Sequence, residues 1–237
     1  DRTRFLGLGI SFPGIVNFEK KAITYSHVLG AEWLPLEEVS ACFPYACFFL
    51  NDANAGAYAE GLQADRGEEF FYLSLSNTVG GAVFAHGELS QGKNFRCGEA
   101  GHMTLVPDGG LCYCGKKGCL DVYCSAKRLA DTKEGNLEAF FSALKAGEEK
   151  SAALWEDYTD KLAVAVNNLH MILDCDIVLG GYVGSYLEPY LDAVWKKIYQ
   201  RNTFGESMPF VRACRYQRGA AALGAGLRVI ESFLETV

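Results

Sequence analysis

Gly98-Glu99-Ala100-Gly101-His102-Met103-Thr104-Leu105 and, close behind it, Cys112-Tyr113-Cys114-Gly115-Lys116-Lys117-Gly118-Cys119-Leu120-Asp121 are the two runs on which the reading of this chain turns. Three thiols in a Cys-x-Cys-x4-Cys array, glycines at 115 and 118 that let the backbone curl, and one histidine upstream make a Cys3His set suited to tetrahedral zinc. The predicted ligands are His102, Cys112, Cys114 and Cys119. Disulfides are the alternative, but Cys112 and Cys114 are too close in sequence to pair comfortably, and no secretory signal places the chain in an oxidising compartment. A site closed by four protein ligands from two loops is expected to be structural rather than catalytic. Chelation there would bring Glu99 and Asp121 near one spot, where two carboxylates can accept hydrogen bonds from a polyhydroxylated ligand.

Outward from that centre, composition limits the choices. A chain of 237 residues with 49% hydrophobic content can bury a substantial core as one large domain or two lobes. A net charge of −7, with no lysine or arginine run to neutralise phosphates, argues against nucleic-acid binding by this segment, so any DNA contact needs another domain. No apolar run is long enough to span a bilayer and the opening residues resemble no targeting peptide, which predicts a cytoplasmic protein without a membrane partner. The six cysteines outside the knot, Cys42, Cys47, Cys97, Cys124, Cys175 and Cys214, sit among apolar neighbours and read as buried free thiols.

Upstream, residues 5–12 alternate glycine with apolar side chains and break at Pro13-Gly14, a buried strand entering a tight turn. A chain that opens on a core strand predicts further residues before it. Residues 23–28 read as a second strand, and 32–39 as a loop leading into a short helix with Pro35 in its first turn. His27 is either a hydrogen-bonded loop histidine or a catalyst. The apolar strand Cys47-Phe48-Phe49-Leu50 ends at Asn51-Asp52, after which an alanine-rich helix begins. Asp52 is thus either a helix N-cap or a general base at the carboxyl end of a strand, where open α/β sheets bind ligands.

Residues 70–75 and 82–85 read as a hairpin joined by Ser76-Asn77-Thr78-Val79-Gly80-Gly81, whose small residues, Thr78 and Gly80 among them, either cradle phosphate or simply turn the chain. Ser125 can cap a helix over 126–130, and a second helix follows at 136–144. Apolar residues at helical spacing run over 155–173 and include Tyr158, Leu162, Val166, Leu169, Ile172 and Leu173. The buried strand 176–179 enters Gly180-Gly181 and a helix predicted over 186–201, a turn that either faces a nucleotide or permits a tight connection. A last strand at 210–214 precedes a closing helix, with Leu223, Leu227, Ile230 and Phe233 as its predicted apolar stripe. Alternating strands and helices in two groups give a two-lobed α/β protein. Residues 1–68, with 219–237 packed back on them, form one lobe, and 69–218 the other, carrying the zinc site.

Pro13-Gly14, residues 51–55, the Gly98–Leu105 run, the cysteine knot, Val178-Leu179-Gly180-Gly181 and residues 219–225 together resemble the ROK family (repressors, open reading frames and sugar kinases), in order along essentially the whole chain. The resemblance implies an actin-like ATPase (ribonuclease H-like) fold, here truncated at its N-terminus. It further implies a hexose held by Asn51, Asp52, Glu99, His102 and Asp121. Asp52 would be the base in kinase members, and His102 would orient sugar, ligate zinc, or both. Thr78, Gly80, Gly180 and Gly181 would face the nucleotide, and by analogy the protein would form dimers or tetramers. Against the kinase pattern, the Asp-x-Gly-Gly-Thr phosphate loop does not open this chain. Ser76-Asn77-Thr78 replaces Gly-Thr-Gly, position 121 is Asp rather than Glu, and Tyr182 stands where a small residue often meets the nucleotide.

These departures favour a sugar-sensing effector region of a ROK transcriptional regulator, its helix-turn-helix lying upstream. The alternative is a fragment of an ATP- and Mg2+-dependent ROK sugar kinase, and a purely structural zinc module is the third reading.

Overall fold

The computed structural model describes residues 5–62, 64, 67–205 and 208–236. The elements are β1 (Leu8–Phe12), β2 (Ile15–Asn17), β3 (Ala22–Ser26), β4 (Ala31–Pro35), α1 (Leu36–Ser40), β5 (Cys47–Asn51), α2 (Asp52–Gly61), β6 (Phe70–Leu75), β7 (Val79–Ala85), β8 (Glu88–Ser90), α3 (Leu120–Cys124), α4 (Ala126–Ala130), α5 (Leu137–Lys145), α6 (Glu149–Leu173), β9 (Asp176–Gly180), α7 (Gly181–Gly184), α8 (Leu191–Tyr199), β10 (Val211–Ala213) and α9 (Ala220–Leu234). β1 pairs in parallel with β5, and β2, β3 and β4 form an antiparallel sheet. The main sheet runs β10-β9-β6-β7-β8, parallel from β10 through β9 to β6 and antiparallel from there to β8. The Phe70–Leu75 run is apolar on both pleat faces because the sheet is covered on both sides. One face meets α6, and the other meets α2.

The larger core lies between that sheet and the helices α3 to α8. Tyr158, Leu162 and Val166 of α6 are fully buried against Leu73, Ile177 and Leu179, and the Tyr158 hydroxyl donates to the Cys124 carbonyl at 2.6 Å. Leu162→Ala is therefore expected to lower unfolding free energy by about 2–5 kcal/mol, read from denaturant midpoints at unchanged slope; a smaller loss would mean that α6 closes the cavity.

On the opposite side α9 lies against β1 and α2 at a spacing that only small residues allow. A Cβ on Gly9 would collide with the Ala225 carbonyl, and one on Gly224 with the Ala55 carbonyl. That close approach corrects the predicted stripe of the closing helix. Its buried positions are Ala220, Gly224, Ala225 and Val229, whereas Leu223, Ile230 and Phe233 face outward. Other boundaries shift for local reasons. Residues 31–35 pair with β3 and form a strand instead of a loop. The helix predicted over 186–201 starts only at 191, after a 3-10 turn containing Pro189, whose ring and missing N–H oppose an α-helix passing through it. The long helix starts at 149, earlier than predicted, and turns Ile172 to solvent. No helix among the described residues is long and apolar enough to cross a membrane.

Candidate functional site

The strand-to-helix junction at β5 and α2 sets the first two functional side chains. Asn51 is the N-cap: its Oδ1 accepts from the amides of Ala53 at 2.9 Å and Asn54 at 3.1 Å, while its Nδ2 donates to the Gly14 carbonyl at 3.0 Å. Asp52 is thereby relieved of the capping role and becomes the first residue of the helix, its Oδ1 accepting the Ala53 amide at 2.9 Å. Burial raises the Asp52 carboxyl above its ordinary value, and the hydrogen bonds from Ala53, its own amide and Asn51 partly offset this.

Glu99 precedes the 3-10 turn Ala100–His102, which carries His102 into the same cleft. Burial also raises the Glu99 carboxyl, and the charge of Asp52 adds to that, against His27 and Arg96, which oppose it. Asn51, Asp52, Glu99, His102, Thr78 and Gly80 all line one cavity of about 400 Å³, a volume suited to a small polar ligand.

Further lining residues, among them Tyr25, His27, Arg96 and Tyr113, were not singled out for this site. The rings of His27, His102 and Tyr113 stand within 5.4–5.5 Å of one another, centroid to centroid, forming an aromatic wall. Tyr25 Oη lies 3.0 Å from His27 Nδ1, and Arg96 borders the same cavity. Tyr113 had a local signal, its position between two metal-type ligands. Arg96 had one too, standing three residues before Glu99 in the same loop, whereas His27 reaches the cleft only through long-range folding.

Asp121 is placed elsewhere. It is buried, and its Oδ2 accepts the Val79 amide at 2.6 Å, so its carboxylate braces the hairpin end instead of lining the cleft cavity. Burial pushes the Asp121 carboxyl up to about 6, the Val79 hydrogen bond opposing.

A second cavity of about 840 Å³ adjoins the first, and Asp52 and Thr78 line both. Its walls include Ser76, Asn77, Gly181, Tyr182, Tyr216 and Arg218. Gly181 has φ +74°, and a Cβ there would stand 2.6 Å from the Leu75 nitrogen, so the turn requires glycine. Gly180 is packed down on Tyr72, whose hydroxyl a Cβ would strike, and Gly80 borders the smaller cavity, away from this one.

Beside the cleft, one donor atom each from His102, Cys112, Cys114 and Cys119 lies within 4.8 Å of all the others. Cys112 Sγ is 3.9 Å from His102 Nδ1, and Cys114 Sγ is 3.7 Å from Cys119 Sγ. Sulfur ligands at ~2.3 Å from a tetrahedral ion lie about 3.7 Å apart, so the donor set and its spacing fit a metal and are too wide for disulfides. All nine cysteines are free thiols. With Nδ1 turned to the thiols, His102 Nε2 faces Tyr113 Oη at 3.5 Å.

Comparison with known proteins bears on what this arrangement does. The family model described as "ROK family" matches residues 1–231. An N-acetylmannosamine kinase from Escherichia fergusonii is 32% identical over 189 residues, which are 75% of this chain and 62% of that protein; the chain thus spans less than two thirds of that relative's length. Among solved structures, a ROK hexokinase from Thermus thermophilus superposes with a TM-score of 0.76 at 27% identity, over 98% of this chain and 81% of that one. A ROK family glucokinase from Streptomyces griseus, in complex with glucose and AMPPNP, gives 0.81 at 22% identity, over 95% and 81%.

The fold is the actin-like ATPase fold. The expectation of a regulator's effector-binding region is corrected: curated relatives with a strong sequence match are N-acetylmannosamine kinases, and a ROK hexokinase shares the fold. Its argument rested on erosion of the nucleotide side, where the larger of the two cavities is nevertheless retained. Motif order, fold and relatives agree, and the chain belongs to the ROK family.

Proposed function

We propose that this chain is the base-bearing, sugar-binding part of an ATP-dependent sugar kinase, with a hexose or an N-acetylated hexosamine such as N-acetylmannosamine as acceptor. The observation that carries this reading is the position of Asp52 on the walls of both cavities. A base there reaches an acceptor hydroxyl in the smaller cavity at the point where the larger one opens. Asn51, Glu99 and His102 Nε2 would hold the other hydroxyls, and Asp52 would take the proton of the reacting one. Thr78, Gly181 and the polar turn at Ser76-Asn77 would line the nucleotide side. ATP with Mg2+ supplies the phosphoryl group when bound, and positioning and electrostatics contribute most of such a reaction's catalysis.

Zinc in the Cys3His set would be structural, since all four positions are protein ligands. The sugar would close the cleft between a lobe of residues 1–68 with 219–237 and a lobe of residues 69–218.

The test is a sugar panel. The natural full-length polypeptide, incubated with Mg-ATP and glucose, mannose, N-acetylglucosamine or N-acetylmannosamine, is expected to release ADP with one of them and to yield a sugar phosphate by phosphorus NMR. Sugar binding by calorimetry without any ADP release above background would sink the reading.

A further inference from the structure

Glu60 stands outside both cavities, yet its carboxylate is fully buried. The carboxylate reaches residues more than 150 positions away. Oε2 accepts from Arg212 Nη1 at 3.0 Å, and Oε1 accepts from the backbone amides of Arg215 at 2.6 Å and Tyr216 at 3.1 Å. Arg212, on β10, also donates through Nη2 to Glu68 Oε1 at 3.0 Å. The network therefore ties α2 to both stretches of chain that connect the two halves of the molecule, the one before β6 and the one between β10 and α9.

The second of those stretches matters for the larger cavity. Tyr216, one of the two residues whose amides Glu60 holds, forms part of its wall together with Gln217, Arg218 and Gly219. At the other end of α2, two helical turns or about 12 Å away, stands Asp52. The same helix thus carries the candidate base at its N-terminus and, near its C-terminus, the grip on another part of that cavity's lining. Without the carboxylate the two amides would lose the acceptor that holds them in place, and the loop would be free to shift toward water or other partners.

We infer that Glu60 is a positioning residue that fixes the 215–218 loop against the nucleotide cavity and registers it to Asp52 through α2. This inference deepens the kinase reading and rests on it for its nucleotide role. In the full-length protein, Glu60→Ala is expected to raise the KM for ATP about tenfold while the sugar KM stays within about twofold. Glu60→Gln keeps an oxygen for the two amides and should restore most of the ATP affinity. If Glu60→Ala does not fold, Glu60→Asp carries the test, because it keeps the charge but retracts it from the loop.

A merely structural role predicts loss of active protein with both KM values unchanged. That result, or equal changes in both, overturns the proposal. If the wild type binds sugar without turning over ATP, the kinase reading falls by itself. Hydrogen exchange at the Arg215 and Tyr216 amides then decides: faster exchange in Glu60→Asp upholds the grip, and unchanged exchange overturns it.

Discussion

Asp52→Asn is expected to cut sugar phosphorylation by about two to four orders of magnitude, the range for loss of a positioned general base, while sugar affinity changes little. Asparagine keeps the shape and the oxygen that accepts the Ala53 amide at 2.9 Å, so the helix start should survive the change. What it removes is the capacity to take a proton. Steady-state kinetics and calorimetry on the same preparation check this: a fall in kcat without loss of sugar binding supports the role, and an active Asp52→Asn enzyme refutes it.

The pH profile supplies a second readout. Burial raises the Asp52 carboxyl above its ordinary 3.8, and the base works only when ionised. The rate should therefore drop as pH falls through a pKa above that value, and hold at higher pH until another group intervenes. Because Asp52 and Glu99 share the cleft and the charge of Asp52 raises Glu99, the acid limb reports the pair, and it should change shape in Asp52→Asn.

Removal of the zinc proposed for the Cys3His set, or replacement of Cys114 by serine, is expected to have the largest effect on stability. The segment from Thr104 to Cys119 is held by a few backbone hydrogen bonds, such as Cys112 N to the Lys116 carbonyl at 2.8 Å and Gly118 N to the Gly110 carbonyl at 2.8 Å. Two isolated bridges, Thr104 with Cys119 and Leu111 with Lys117, complete it. Leu111 and Tyr113 are exposed, so little apolar burial supports the loop. Chelation of four ligands would then dominate its stability, the binding energy of such structural sites being on the order of 10 kcal/mol.

Loss of the ion would also release His102 and Tyr113, two of the three rings in the cleft wall. Elemental analysis should find one zinc per chain, and removal with a strong chelator should lower the melting temperature and abolish sugar binding together. A chelated protein, free of metal, that still bound sugar with native affinity would show that the knot and the cleft are independent.

Much of this was legible before folding was considered, and the reason is distance along the chain. Ligand spacing in the Cys112–Cys119 knot is a matter of a few covalent bonds and two glycine turns, so the sequence alone brings the three thiols together, with His102 only ten residues upstream. Strands such as Phe70–Leu75 and Asp176–Gly180 are marked by apolar runs of the right length, and the junction at Asn51-Asp52 by a strand that stops where alanines begin. The order of these motifs was enough to place the chain in its family. It was not enough to choose between regulator and kinase, because the residues that differ from the kinase pattern say nothing of the space they enclose.

Tertiary structure decided where individual side chains stand. Asp121 looked like a sugar ligand because it follows Cys119 closely, but an amide 42 positions away, that of Val79, takes its carboxylate. The closing helix buries Gly224 and Ala225 instead of its larger side chains, since only small residues let it approach α2 and β1. His27 joins the cleft, and Glu60 holds the loop at Arg215, through contacts that no local pattern records. Chelation and turn chemistry act over neighbouring residues and are written in their spacing. The direction of a buried carboxylate depends on which amides packing brings within reach, and that is settled only when the whole chain has folded.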